Sequence, residues 1–195
     1  MEAVSGEGVS VSLRTAILLA GGQSRRFGSN KAFHPWKGTT MIESILETLS
    51  KTHDTIFISG TVQLYETLGY PVIEDLFPGE GPFAALGNFF NKAPHFLLCA
   101  CDMPFISKEA IEQLWHTFEK TRSPLIYFEQ QSKLAPLPGI YSNELESTFQ
   151  QLMGRGRRDL KALIKETENA VMISEKMWKS LTPNLLKNIN TVEEL

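Results

Sequence analysis

The sequence predicts a three-layer α/β/α sandwich of the Rossmann-like type, built on a mostly parallel sheet. Three observations carry that expectation. Short apolar runs bounded by turn residues alternate with stretches of helical periodicity, the βαβα order that builds parallel sheets. The run at 95–101 (HFLLCAC) is apolar at nearly every position, as a central strand covered on both faces must be. Right-handed crossovers between such strands then place helices on both faces of the sheet.

Each element has its own local reason. Residues 15–20 (TAILLA) form a strand by length and β-branching, stopped by Gly21-Gly22. Residues 40–52 form a helix, with apolar positions at Met41, Ile42, Ile45, Leu46 and Leu49, and Thr40 with Glu43 supplies a capping box. Residues 55–59 (TIFIS) are the second strand, 62–68 a short helix and 70–74 (YPVIE) the third strand. The turn at 78–82 leads into a helix to about 92, with Pro82 in its first turn. After the fourth strand at 95–101, a helix over 107–120 carries Ile111, Leu114, Trp115 and Phe118 on one stripe. Residues 124–128 are a fifth strand and 137–141 a candidate sixth; helices follow at 143–153 and 157–167, and 171–173 is strand-like. Residues 1–13, acidic and rich in Gly and Ser at their start, read as a loose tail. With no internal repeat and no linker, 14–195 reads as a single domain.

Composition narrows the function classes. The 195 residues carry 19 Lys and Arg against 22 Asp and Glu, a net charge of −3, with 42% apolar and 21% charged residues. That balance excludes a disordered chain and lacks the positive surplus a duplex-DNA binder needs, so no nucleic-acid partner is expected. The longest uninterrupted apolar run, 96–101, is far too short to span a membrane, and the start has neither the basic nor the apolar region of a signal peptide. Cys99 and Cys101 suit buried hydrophobes in a reducing cytosol better than a disulfide. Zinc is not expected either, because His34, His53, His95 and His116 show no ligand spacing. A cytoplasmic location follows as an expectation.

In open α/β sheets, ligands bind beyond the carboxyl ends of the strands. Behind the first strand come Gly21-Gly22-Gln23-Ser24-Arg25-Arg26-Phe27-Gly28-Ser29-Asn30-Lys31, three glycines and three cations in eleven residues. Glycines let backbone N–H groups approach a phosphate, and Arg and Lys neutralise it. An anion site is the natural reading; a solvated basic loop is the alternative. The spacing is not that of a Walker loop, and Gly79, Gly81 and Ala84 match a dinucleotide fingerprint only formally, being set apart from the strand by Leu76-Phe77-Pro78. Asp102 stands at the mouth of the fourth strand, where a carboxylate can hold Mg²⁺ or bond nearby backbone N–H groups. Asp75 follows the third strand and Ser59 ends the second. Arg155, Arg157 and Arg158 could meet an anionic acceptor or simply solvate a helix start. No Ser/His/Asp or Cys/His arrangement offers a covalent nucleophile.

These residues carry a resemblance. Leu19-Ala20-Gly21-Gly22-x-Ser24-x-Arg26-Phe27-Gly28-x-x-Lys31 resembles the signature of nucleotidyltransferases that join an NTP to a phosphorylated acceptor, in the form found in MobA-type molybdenum cofactor guanylyltransferases. Phe27 stands where that family has Met, and Asn30 where it has Asp. Cys101-Asp102-Met103-Pro104 is similar to the family's metal-binding segment, Ile73-Glu74-Asp75 to its guanine-nucleotide segment, and Gly81-Pro82-Phe83-Ala84-Ala85 to Gly-Pro-Leu-Ala-Gly. The ending Asn188-Ile189-Asn190-Thr191-Val192-Glu193-Glu194-Leu195 resembles Asn-x-Asn-Thr-Pro-Glu-Glu/Asp-Leu, although asparagines there can also merely shape a turn.

The resemblance implies a nucleotidyltransferase fold and transfer of GMP from GTP to the phosphate of molybdopterin, with pyrophosphate released and Mg²⁺ as cofactor. It implies catalytic roles for Arg26, Lys31 and Asp102, with Asp102 as the metal ligand. Nucleotide contacts are implied for Leu19, Ala20, Gly21, Gly22, Lys31, Ser59, Asp75, Gly81, Asp102, Asn188 and Asn190. The implied partners are the two substrates, together with transient contacts to cofactor-biosynthesis proteins or recipient molybdoenzymes. A cytidylyl transferase on molybdopterin, a sugar- or alditol-phosphate nucleotidyltransferase and a non-catalytic nucleotide-binding module stay open. All these roles require Lys31 and Asp102 to share one rim of the sheet.

Overall fold

The computed structural model describes residues 13–21, 30–75, 79–180 and 182–189. The first strand, β1 (Thr15–Leu19), is buried along its whole length. A single 3₁₀ turn, Lys31–Phe33, precedes a two-stranded antiparallel ribbon of β2 (Pro35–Trp36) and β3 (Thr39–Thr40), which the sequence patterning does not announce. The helix α1 (Met41–Ser50) starts at the expected capping box: Thr40 Oγ1 accepts from the Glu43 N–H, and the Glu43 carboxylate accepts from the Thr40 N–H. β4 (Thr55–Ser59), α2 (Val62–Tyr65) and β5 (Val72–Ile73) follow, and β5 is shorter than the 70–74 predicted. α3 (Gly81–Leu86) has Pro82 in its first turn and breaks into successive turns well before residue 92. β6 (His95–Ala100) and α4 (Lys108–Thr121) come next, with Ser107 capping α4 through its hydroxyl. The chain closes with β7 (Leu125–Gln130), β8 (Lys133–Ser142), α5 (Glu146–Gly154), α6 (Leu160–Glu166), β9 (Val171–Ile173) and α7 (Glu175–Trp178).

Seven strands form one sheet in the order β5-β4-β1-β6-β8-β7-β9. β8 runs against both neighbours, and every other pairing is parallel. Alternation along the inner strands feeds two cores. Ala16 and Leu18 of β1, with Leu97 and Cys99 of β6, face α1 and α4 through Ile42, Ile45, Leu114 and Trp115. Ile17, Leu19, Phe96 and Leu98 face the other side, where Phe83, Phe149 and Leu163 pack. A strand buried on both faces must be apolar at consecutive positions, which is the pattern of 15–20 and 95–101.

β1 to β4 to β5 builds the sheet in one direction, and the chain then returns to lay β6 on the other side of β1. The carboxyl ends of β1 and β6 are therefore the topological switch point, where connections leave in opposite directions and a crevice opens. No helix among the described residues is long and apolar enough to cross a membrane. Cys99 and Cys101 are free thiols.

Candidate active site

Four strand ends, those of β5, β4, β1 and β6, converge at this crevice. The ladder continues one residue beyond the strands: the Ala20 N–H donates to Ser59 O at 2.8 Å, Cys101 N–H to Leu19 O at 2.9 Å, and Gly60 N–H to Ile73 O at 3.0 Å. These bonds fix Leu19 and Ala20, both buried, and deliver Gly21 to the edge. A Cβ on Gly21 would stand 3.4 Å from Asp75 Oδ2 and 3.9 Å from Ser59 O. The Asp75 carboxylate thus lies across the end of β4 against the glycine turn. Ser59 is 1% exposed, and its hydroxyl has no hydrogen-bond partner among the described residues.

Lys31 enters from the 3₁₀ turn. Asn30 caps that turn, its Oδ1 accepting from the Ala32 N–H at 3.1 Å. Lys31 Nζ reaches Asp102 Oδ2 at 3.3 Å, so the cationic end of the glycine-rich segment and the carboxylate behind β6 share one rim, as the sequence demanded. The second oxygen, Asp102 Oδ1, is buried without a hydrogen-bond partner among the described residues. A carboxylate with one oxygen on a lysine and the other unpaired away from water is costly unless it serves a ligand. Beside it, burial pushes the Cys101 thiol up to about 12, with the Asp102 carboxylate adding to the effect. That thiol is therefore no nucleophile at neutral pH.

The carboxyl-terminal segment is tied in through the backbone, with Ile189 N–H donating to Asp102 O at 2.9 Å. Asn188 lines a cleft of about 580 Å³ together with Pro82 and Phe83 of α3, Met103, the β7–β8 hairpin and residues 158–161. Gly81, at φ +82°, opens α3 in a backbone region that suits glycine. The cleft collects Lys133, Arg158 and Lys161 against Asp159. Of the three arginines noted in the sequence, Arg155 pairs with Glu166, Arg157 with Asp159 and Arg158 with Glu80. Only Arg158 of these lines the cleft.

Gly22, Arg26 and Asn190 lie outside the described residues, as does the Thr191–Glu194 capping box. Tyr65 went unnoticed in the sequence, yet its hydroxyl donates to Ala20 O at 2.8 Å and accepts from Asn30 Nδ2 at 3.1 Å. Lys133 and Lys161 were also missed. Tyr65 gives no local signal, because its partners stand 45 and 35 residues away.

A sheet that opens its switch point onto a glycine turn and a lysine–carboxylate pair is an α/β protein of the kind that handles phosphate esters there. The family profile of the MobA-like NTP transferase domain matches residues 16–171, and the chain belongs to that family. It is 32% identical over 188 residues to the probable molybdenum cofactor guanylyltransferase of Clostridium perfringens, covering 93% of each chain. It is likewise 32% identical over 188 residues to the molybdenum cofactor guanylyltransferase of Desulfosudis oleivorans, covering 93% of this chain and 92% of that one. In fold it matches molybdopterin-guanine dinucleotide biosynthesis protein A from Archaeoglobus fulgidus, with a TM-score of 0.78 at 23% identity, over 92% of this chain and 94% of that one.

Proposed function

We propose that this protein is a nucleotidyltransferase that moves GMP from GTP to the terminal phosphate of molybdopterin, releasing pyrophosphate. The observation that carries the reading is the Lys31–Asp102 pair at the switch point, 3.3 Å apart, with the second carboxylate oxygen buried and unpaired among the described residues. The relatives named as molybdenum cofactor guanylyltransferases support it at the level of the reaction.

Among the described residues no group of three or more His, Cys, Asp or Glu could hold a metal ion. Asp102 would hold Mg²⁺ with phosphates and water completing its shell, which suits an ion that keeps most of its waters. The unpaired Oδ1 fits that role. Bound there, Mg²⁺ would supply positive charge to the phosphate oxygens. Lys31 has three N–H donors, so it can hold Asp102 and a phosphate oxygen together. The resemblance gives Arg26, outside the described residues, the role of a planar fork for phosphate oxygens. Leu19, Ala20, Gly21, Ser59 and Asp75 would surround the nucleotide, with Gly81 at its margin; Gly22 and Asn190, nucleotide contacts implied by the resemblance, lie outside the described residues. Lys133, Arg158, Lys161 and Asn188 offer the 580 Å³ cleft to the anionic acceptor.

An acceptor phosphate oxygen forms a bond to the α-phosphorus of GTP, the bond from that phosphorus to the bridging oxygen breaks, and pyrophosphate leaves with the electron pair. No side chain forms a covalent intermediate; positioning and charge carry the rate. The free thiols suit a reducing, cytoplasmic setting.

The test is pyrophosphate release by the purified protein given GTP, Mg²⁺ and molybdopterin, with product read by mass. Turnover with GTP and none with CTP is expected. A preference for CTP would replace the guanylyl reading with the cytidylyl one, and GTP binding without pyrophosphate release would make the protein a binding module.

A further inference from the structure

Tyr65 is 2% exposed. Its ring lies against Gly60, where a Cβ would come within 2.7 Å of Tyr65 Cε2, so glycine is required for this approach. Phe33 stacks on it, with ring centroids 5.6 Å apart. The ring is thus held so that one hydroxyl meets both residues that bracket 21–29: Ala20 O at 2.8 Å and Asn30 Nδ2 at 3.1 Å.

The proton count makes the arrangement directional. Tyr65 has one O–H proton, and the Ala20 carbonyl can only accept. Asn30 Oδ1 accepts from the Ala32 N–H at 3.1 Å and lies 3.5 Å from the phenol oxygen, while Nδ2, at 3.1 Å, makes the closer contact and donates to that oxygen. Both ends of the Asn30 amide are therefore used, and the hydroxyl is satisfied as donor and acceptor.

Aspartate at this position, as in the resembling signature, would keep the Ala32 bond. It would present an oxygen where Asn30 presents N–H. A single phenol proton would then be contested by the carboxylate and the Ala20 carbonyl.

We propose that Tyr65 and Asn30 form a clasp that ties the end of β1 to the start of the Lys31 turn and thereby sets the position of Lys31 against the phosphates of the nucleotide. Both are positioning residues, and their action on GTP rests on the nucleotide reading above. Lys31 follows Asn30 directly, and its Nζ is already aimed at Asp102 at 3.3 Å. Loosening the clasp therefore moves the lysine that meets the triphosphate.

The experiment is a double-mutant cycle on the full chain with Asn30→Asp, Tyr65→Phe and the two combined. The readout is GTP binding in the presence of Mg²⁺ by calorimetry, with melting curves to confirm that each variant is folded. With Tyr65 present, Asn30→Asp weakens GTP binding about five- to tenfold. In the Tyr65→Phe background, which already binds several-fold more weakly, adding Asn30→Asp costs less than about twofold because the contested proton is gone.

In turnover, KM for GTP rises with the binding constant while kcat stays within about twofold; a purely structural role would lower kcat through lost folded enzyme and leave KM alone. The same loss from Asn30→Asp in both backgrounds means that its charge alone acts, and overturns the clasp. Unchanged binding by Tyr65→Phe overturns it as well. Wild-type protein that binds GTP without transferring it would defeat the reaction and leave the clasp standing; no binding at all would defeat both.

Discussion

The two edges of the sheet use charged groups differently. At the amino edge, just before β1, the Arg14 N–H donates to Asp54 at 2.8 Å, and its guanidinium donates to Glu112 at 2.8 Å and Glu119 at 3.0 Å. The same guanidinium lies 5.3 Å over the Trp115 ring, whose Nε1 donates to His53 Nε2 at 3.0 Å. His53 Nδ1 in turn meets Leu49 O at 3.3 Å and Thr52 Oγ1 at 2.9 Å. Each polar group in this chain has a partner. At the carboxyl edge, Ser59 Oγ and Asp102 Oδ1 are buried and, among the described residues, unpaired; away from it, His95 Nδ1 at the start of β6 and Gln113 Oε1 on α4 share that state, but neither carries a charge. Unsatisfied buried oxygens cost stability, so an edge that keeps them is shaped for something other than stability.

The strongest way to break this contrast is to remove the carboxylate. Asp102→Asn preserves shape and removes the charge. Turnover is expected to fall about 10²–10³-fold, equivalent to about 3–4 kcal/mol of barrier. Melting is expected to shift by no more than about 3 °C, because the native state gains little from a half-paired carboxylate. Steady-state kinetics beside a melting curve checks both. A variant that loses stability but keeps turnover would make Asp102 a structural residue.

The fold and the site differ in how much of each a sequence shows. β1, β6 and α1 are legible because burial on two faces, or a helical stripe with the Thr40–Glu43 cap, leaves a local pattern. β8 is legible only as the fragment 137–141. Its first half, Lys133–Leu137, is at best half-buried, and Pro136 and Pro138 remove ladder donors. The pairing of β7 with β8 also slips between Ile126 and Phe128, and Tyr141 spans the irregularity by donating to Pro136 O at 2.8 Å. The hairpin turn itself is hidden: Gln131 and Ser132 hold φ of 49° and 57°, a conformation usually announced by Asn-Gly or Asp-Gly. The Glu175 carboxylate accepts from the Gln131 N–H at 2.8 Å, a tertiary contact that helps hold the turn.

Lys31 and Asp102 are 71 residues apart, and the strand-end rule alone brings them together on paper. Arg158 on the cationic side of the cleft is visible as part of a basic cluster, but no comparable rule finds Lys133, Lys161 or Tyr65, since a hydroxyl that works through two distant partners leaves no period and no motif.

The amino edge carries its own test in pH. Burial lowers the His53 pKa to about 4, against an unfolded value of 6.5. Nε2 must stay unprotonated to accept from Trp115, which can only donate. The unfolded chain therefore takes up the proton first as pH falls, and stability drains between about pH 6.5 and pH 4. The full loss is about 3 kcal/mol, reached below the folded value. His53→Gln keeps an acceptor for Trp115 and removes the titration. Its stability should run flatter than wild type across that window, as chemical denaturation at a series of pH values would show, while GTP turnover near neutrality stays unchanged. Parallel curves for the two proteins would remove His53 from the acid response.

The smallest effect belongs to Arg14. Its two carboxylate partners are largely exposed, with Glu112 at 42% and Glu119 at 52%, so each ion pair is worth little and is screened by salt. Contact with Trp115 adds a part that salt does not remove as readily, because the guanidinium carbon also lies 5.3 Å over the ring centroid. Arg14→Met retains some of that packing and loses the charge, and should cost about 1 kcal/mol at low salt and less at high salt. Denaturation at the two salt concentrations measures the difference, and turnover should not move. If Arg14→Met changed KM for GTP, the amino edge would be coupled to the nucleotide through β1, and the division of labour between the two edges would fail.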